Sequence, residues 1–242
     1  MRTVSANNAY LRLAQTLLRR AAGFHHCADE TIMGLVDGGE TQHVPQGTWV
    51  CRRDEVFNEL CLIVEGVLES SLSLSSTRRH LVAYSSAGEM LGFVCCVDRL
   101  PVPHDFRAHA DSVLLRIPLT VISRWRAIDP GLARAFEIQL AMRTRQFYSR
   151  LSDTLLLTFE ARLARMLLEL TEKFGIERNQ KTRIELRIPQ NDLADLIGSS
   201  RQRVNQALKG FESQGFLTLA RSSITAIDVI GLGRMAESAR GQ

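Results

Sequence analysis

The chain has 242 residues, 45% of them hydrophobic, with a formal charge of +4 and a pI near 9.0. That composition supports packed cores in two ordinary domains and excludes a largely disordered chain. No apolar run approaches the roughly 20 residues of a bilayer span, and no hydrophobic signal core opens the chain, so the expected compartment is the cytoplasm.

The five cysteines, Cys27, Cys51, Cys61, Cys95 and Cys96, are an odd and scattered set, which does not suggest a disulfide framework. From Glu160 to Gln242, 13 Lys and Arg face 10 Asp and Glu, so +3 of the +4 lies in the last third. Bulk charge this modest permits nucleic-acid binding, and any strong field must come from local placement.

Tyr10 to Arg20 reads as a short amphipathic helix packed on the domain that follows. From about Thr41 to Pro118 the chain reads as short strands punctuated by glycine. Val44 to Val50 enters a strand after a turn, and Leu60 to Glu69 is strand, tight turn and strand. His80 to Tyr84 is a further strand, Ala87 to Gly92 is a turn leading back inward, and Arg107 to Ile117 is one long final strand. The pair Cys95-Cys96 reads as part of an apolar strand. This spacing predicts an all-β sandwich or roll.

A long helix is expected from Pro130 to Leu157, because proline is tolerated in a first turn. Along it Leu140, Thr144, Phe147, Leu151, Thr154 and Thr158 follow 4-3-4-3-4 spacing, a heptad-like seam. The same pattern would also suit a helix buried against its own roll. Arg162 to Phe174 is a second amphipathic helix with Leu163, Leu167, Leu170 and Phe174 inward and Gly175 at its end. Ile184, Leu186 and Ile188 then alternate like a strand.

The most informative stretch runs from Ile188 to Phe216. Leu193, Leu196 and Ile197 mark one short amphipathic helix, and Gly198 supplies the positive φ that ends it. Ser199 or Ser200 can cap a second helix, whose apolar side carries Val204, Ala207, Leu208 and Phe211. The opposite face presents Arg201, Gln202, Asn205, Gln206 and Lys209. Such a face suits the major groove, where arginine matches the two acceptors of guanine and glutamine matches adenine. A merely solvated basic face is the bland alternative, but turn glycine, serine cap and paired apolar stripes agree on one helix-turn-helix. Leu217 to Val229 alternates like a two-stranded wing with Arg221-Ser222-Ser223 at its tip.

The run from Leu193 to Gln202, continued through Phe216, resembles the DNA-binding signature of the cyclic-AMP receptor protein and fumarate-nitrate regulator family. The placement of Gly47, Gly66, Gly88 and Gly92 resembles the cyclic-nucleotide-binding β-roll of the same family. The resemblance implies an α+β fold: a cyclic-nucleotide-binding-like β-roll over residues 1–128, a dimerisation helix and hinge over 129–159, and a winged helix-turn-helix over 160–242. It implies a homodimeric transcription regulator that binds an inverted-repeat operator in double-stranded DNA and acts with RNA polymerase, with no cofactor and no membrane partner. The expected DNA-binding set is Gln190, Ser199, Ser200, Arg201, Gln202, Arg203, Asn205, Gln206, Lys209, Arg221 and Ser222. Leu140, Thr144, Phe147, Leu151 and Thr154 are the expected dimer interface. Gln202 and Gln206 stand where cyclic-AMP receptor proteins carry glutamate and arginine.

Cyclic-AMP-binding relatives place a glutamate just after the turn glycine, yet here Phe93 follows Gly92. Their arginine-serine pair for the cyclic phosphate is matched here by Leu100-Pro101-Val102-Pro103-His104-Asp105, which lacks both residues. Their adenine-contacting hydroxyl pair falls near Phe147 and Tyr148. Gly92, Phe93, His104 and Tyr148 therefore mark where an effector would sit, and cyclic AMP is not the expected one. Cys27 stands alone where iron–sulfur regulators need a cluster. Cys95-Cys96 is a candidate redox pair, though core packing is the commoner fate of such cysteines. The scattered His43, His80, His104 and His109 have no metal-site spacing. The alternative from another class is a β-roll metal or small-molecule enzyme with a helical assembly domain.

Overall fold

The computed structural model describes residues 2–75, 78–178, 181–220, 223–225 and 228–237. The chain forms two compact units, Met1–Arg145 and Gln146–Gln242, divided inside one long helix.

In the first unit α1 (Arg2–Arg20) and α2 (Asp29–Asp37) precede eight strands: β1 (Glu40–Val44), β2 (Trp49–Cys51), β3 (Glu59–Glu65), β4 (Val67–Ser75), β5 (Arg78–Ser86), β6 (Met90–Leu91), β7 (Asp105–Ala108) and β8 (Ser112–Pro118). Helix α3 (Phe93–Asp98) lies between β6 and β7, and α4 (Leu119–Ile128) and α5 (Pro130–Leu156) follow β8. Two antiparallel sheets form, ordered β1-β8-β3-β6 and β2-β7-β4-β5. Strand β3 is buried on both faces, which is why Leu60 to Val64 reads as a continuous apolar run rather than an alternation. Leu60, Leu62 and Val64 pack with Leu18, Leu35, Leu132 and Phe136 of the helices. Cys61 and Ile63 instead pack with Leu68, Ala108 and Leu114 between the sheets.

The expected single strand from Arg107 to Ile117 is two strands in different sheets, which corrects the sequence reading. β7 pairs with β4, and β8 pairs with β3 and β1. The chain changes sheet at His109–Asp111, opposite the corner at Gly66 between β3 and β4. A Cβ on Gly66 would lie 2.3 Å from Ser112 Oγ and 2.5 Å from the Asp111 carbonyl oxygen. Two corners can meet this closely only where one of them lacks a side chain. Cys95 and Cys96 lie on helix α3, not on a strand, because the left-handed Gly92 turns the chain into a helix immediately after β6. Alternation at Ile184, Leu186 and Ile188 also overreaches, since the strand ends at Ile184.

Helix α5 starts where Pro130 predicts. Asp129 accepts a bond from Gly131 N at 2.7 Å through one oxygen and from Thr31 Oγ1 at 2.6 Å through the other. Leu132, Ala135, Phe136 and Gln139 are buried on their own roll. From Ala141 to Leu156 every residue except Asp153 is exposed. Thr158 leaves the expected seam, because it is the N-cap of the next helix and accepts a bond from Ala161 N at 3.2 Å.

The second unit continues with α6 (Phe159–Phe174), β9 (Gly175–Arg178), β10 (Lys181–Ile184), α7 (Gln190–Ile197), α8 (Arg201–Ser213), β11 (Thr218–Ala220), β12 (Ser223–Thr225) and α9 (Val229–Met235). Leu163, Leu167 and Leu170 of α6 are buried, as are Leu193, Val204, Leu208, Phe211 and Leu232. β11 and β12 form the wing hairpin, with Leu219 opposite Ile224. Arg221 and Ser222 lie outside the described residues. Among the described residues no helix is long and apolar enough to cross a membrane.

Candidate nucleic-acid interface

The two helices of the turn are set by local chemistry. Gly198 adopts φ 65° and ψ 46°, and its N–H bonds back to the carbonyls of Ala194 and Asp195. Ser199 N donates to the Ala194 carbonyl at 2.9 Å, which closes the end of α7. Ser200 then caps α8, its hydroxyl accepting from Arg203 N at 3.2 Å. Ser199 thus serves the turn and Ser200 the cap. Ser200→Ala should cost about 0.5–2 kcal/mol of stability, read as a lower urea midpoint for the second unit at unchanged slope.

Val204, Leu208 and Phe211 seat α8, each at most 1% exposed. That seating turns Arg201, Gln202, Asn205, Gln206 and Lys209 to one side, where they wall a single open depression. Gln190, at the start of α7, accepts a long 3.4 Å bond from Arg201 Nε. Arg203 does not join this face. Its guanidinium lies 4.3 Å from the ring centroid of Phe159, the first residue of α6. Three arginines make contacts that escape the sequence pattern because they are tertiary. Besides Arg203 on Phe159, Arg162 Nη2 donates to the Ile197 carbonyl at 2.8 Å, and Arg165 bonds to Asp153 and to the Ala236 carbonyl.

The region where an effector would sit is packed with side chains. Gly92 has φ 96°, and a Cβ there would lie 2.4 Å from the Glu59 carbonyl oxygen. Phe93 is 2% exposed, with ring centroids of Phe136 at 4.8 Å and Phe24 at 6.5 Å. Arg143 reaches across from α5, donates to the Met90 carbonyl and sits 5.3 Å from the Phe93 centroid. In the following loop Asp105 is buried and accepts from Arg53 N at 2.9 Å, while Arg99 is turned to Ser123 at 3.1 Å. His104 packs edge-on against Phe106, and burial, then Arg53 and Arg143, lower its pKa. Tyr148 is 61% exposed on α5.

Cys95 and Cys96 are buried free thiols. Burial raises the pKa of Cys95 and pushes that of Cys96 up to about 12. Neither supplies the exposed thiolate that a reactive redox cysteine needs.

Residues 161–235 match the Crp-like helix-turn-helix domain, and residues 41–127 match the cyclic nucleotide-binding domain. The chain belongs to the Crp/Fnr family of transcription regulators. It is 24% identical over 220 residues to a CRP-like cAMP-activated global transcriptional regulator of Mycobacterium tuberculosis, spanning 91% of this chain and 98% of that one. Its fold is similar to that of FixK2 from Bradyrhizobium japonicum, with TM-score 0.72, 19% identity and coverage of 84% and 99%. It is also similar to the c-di-GMP-responsive global regulator CLP of Xanthomonas campestris, with TM-score 0.70, 20% identity and coverage of 83% and 99%.

As a Crp/Fnr regulator the chain is a DNA-binding protein, and its architecture is the expected one: cyclic-nucleotide-binding β domain, long helix α5 and C-terminal helix-turn-helix. The family comprises regulators rather than enzymes, which removes the alternative of a β-roll enzyme.

Proposed function

We propose that this Crp/Fnr protein is a homodimeric regulator that reads an inverted-repeat operator and works without cyclic AMP. The observation that carries the dimer is the bare half of α5. Phe147, Tyr148, Leu151 and Leu155 are 66%, 61%, 44% and 62% exposed on one helix. A row of large apolar side chains in water is the mark of an interface. Thr144 and Thr154 bond their hydroxyls back to the carbonyls of Leu140 and Arg150, leaving their methyl groups for the seam. A two-fold pair would present two α8 helices to successive major grooves, one helical turn or about 34 Å apart. Arg201, Gln202, Asn205, Gln206 and Lys209 supply base and phosphate contacts, with Gln190, Ser199 and Ser200 supporting them. From the sequence alone, Arg221 and Ser222 add phosphate contacts. RNA polymerase is the partner at the promoter, and the compartment is the cytoplasm.

Independence from cyclic AMP rests on Phe93. A ribose hydroxyl needs a hydrogen-bond partner, and a cyclic phosphate needs a cationic fork or free backbone donors. The position after Gly92 offers a buried ring, and the loop from Leu100 to Asp105 contains no arginine, lysine or serine. Titrating cyclic AMP into the protein in a calorimeter should give no specific heat, and operator affinity should not change on adding the nucleotide. Micromolar binding with a matching gain in DNA affinity would overturn this reading.

A further inference from the structure

The connection between α5 and α6 is two residues, Leu157 and Thr158, and so has few soft dihedrals through which the two helices can pivot. One side chain spans that pivot. Arg165 of α6 holds Asp153, twelve residues behind it and on the far side of the connection, through Nη1. Its Nε donates to the carbonyl of Ala236, the C-cap of α9, at 3.0 Å. A single planar guanidinium thereby joins the last turns of α5 to the end of α9, using the forked geometry that lysine lacks. Asp153 is the one residue between Ala141 and Leu156 that is not exposed. A second pair across the same helices, Arg150 with Glu169 at 3.4 Å, is half exposed on both sides and adds little.

From α6 two further arginine contacts lead to the reading head. Arg162 holds the carbonyl of Ile197 at the end of α7, and Arg203 of α8 lies over Phe159, the residue that follows the connection. Phe159 is 5% exposed, so its ring offers the cation a fixed, desolvated face.

We propose that Arg165 is a positioning residue for DNA recognition: it latches α5 to α9 and so sets the angle at which α8 is presented to a half-site. The proposal rests on the dimer reading for its consequence in DNA, because an angle matters only when two heads must meet two half-sites. A change of one base-pair step along the duplex is about 3.4 Å, a distance that a freed two-residue pivot can absorb. The latched protein should therefore be strict about half-site spacing and the unlatched protein permissive.

The test uses the full chain, with Arg165→Met, Arg165→Lys and Asp153→Ala. Hydrogen exchange followed by mass spectrometry should show both Arg165→Met and Asp153→Ala speeding exchange about tenfold across 153–158 and at the end of α9. Exchange in α7 and α8 should not change. On operators whose spacer varies by single base pairs, both variants should lose about tenfold at the best spacing and flatten the preference. Affinity for a single half-site should stay as it was, and Arg165→Lys should recover part of the preference. Unchanged exchange at the pivot in both variants would overturn the latch. So would an equal loss on half-site and full operator, which would make Arg165 a support of the fold alone. A wild-type protein with no spacing preference would count against the dimer reading instead, while the exchange result would still decide the latch.

Discussion

Replacing Phe147 and Leu151 together with aspartate should give a folded monomer that binds its operator at least about a hundredfold more weakly, since joining two binding heads raises overall affinity by roughly 10²–10⁴. Both side chains already stand in water, 66% and 44% exposed, so the substitutions remove nothing from the monomer's own core. In a two-fold pair each change occurs twice. Burying one such side chain contributes about 1.5–3 kcal/mol, and placing a carboxylate there reverses the sign. Sedimentation velocity reads the assembly and a DNA titration reads the consequence. A variant that sediments as an unchanged dimer would move the interface away from the bare half of α5.

Arg201→Ala should cost roughly 1–3 kcal/mol per guanine contact and erase the preference for guanine at one position of each half-site. The arginine stands at the first position of α8, on the face shared with Gln202, Asn205, Gln206 and Lys209, with Gln190 accepting from its Nε. Lys209→Ala is the contrasting case. Loss of a phosphate contact weakens all sequences alike and lowers the salt slope by about one per contact. The carboxamides of Gln202 and Gln206 favour adenine or tolerate several bases, so the neighbours of that guanine should differ from those chosen by an acidic and a cationic reader. Selecting sites with each variant separates the two outcomes. Arg201→Ala that keeps the wild-type preference at every position would contradict this role.

What was legible in the sequence was what local chemistry decides. Gly198 and the pair Ser199-Ser200 announce the turn because a left-handed residue and a hydroxyl cap act within four residues, while the choice of Ser200 as the cap comes from the structure. Asp129-Pro130 announces α5 for the same reason. Readings failed where a distant segment decides. The sheet change at His109–Asp111 is set by pairing with β3 and β4 and by the Gly66 corner, more than forty residues away, so Arg107 to Ile117 reads as one strand in isolation. Helix α3 is six residues long, too short to show a helical period, and Cys95-Cys96 consequently passes for strand. Thr158 satisfies both a heptad step and a helix cap, and the cap prevails because α5 has already ended at Leu156. Arg203 sits in sequence among the DNA readers, but a side chain six atoms long can turn to either flank of a helix, and Phe159 draws it away. The Arg165 contacts join residues 12 and 71 positions apart, beyond any local pattern.

Selection of binding sites from random duplexes by the purified full chain decides whether a dimer reads DNA without cyclic AMP. Run with no added nucleotide, selection should enrich an inverted repeat with one guanine per half-site and centres one helical turn apart, about 34 Å. A parallel selection with cyclic AMP should return the same repeat with the same enrichment. An unpaired half-site would refute the dimer, and a repeat that emerges only when cyclic AMP is present would refute independence from the nucleotide.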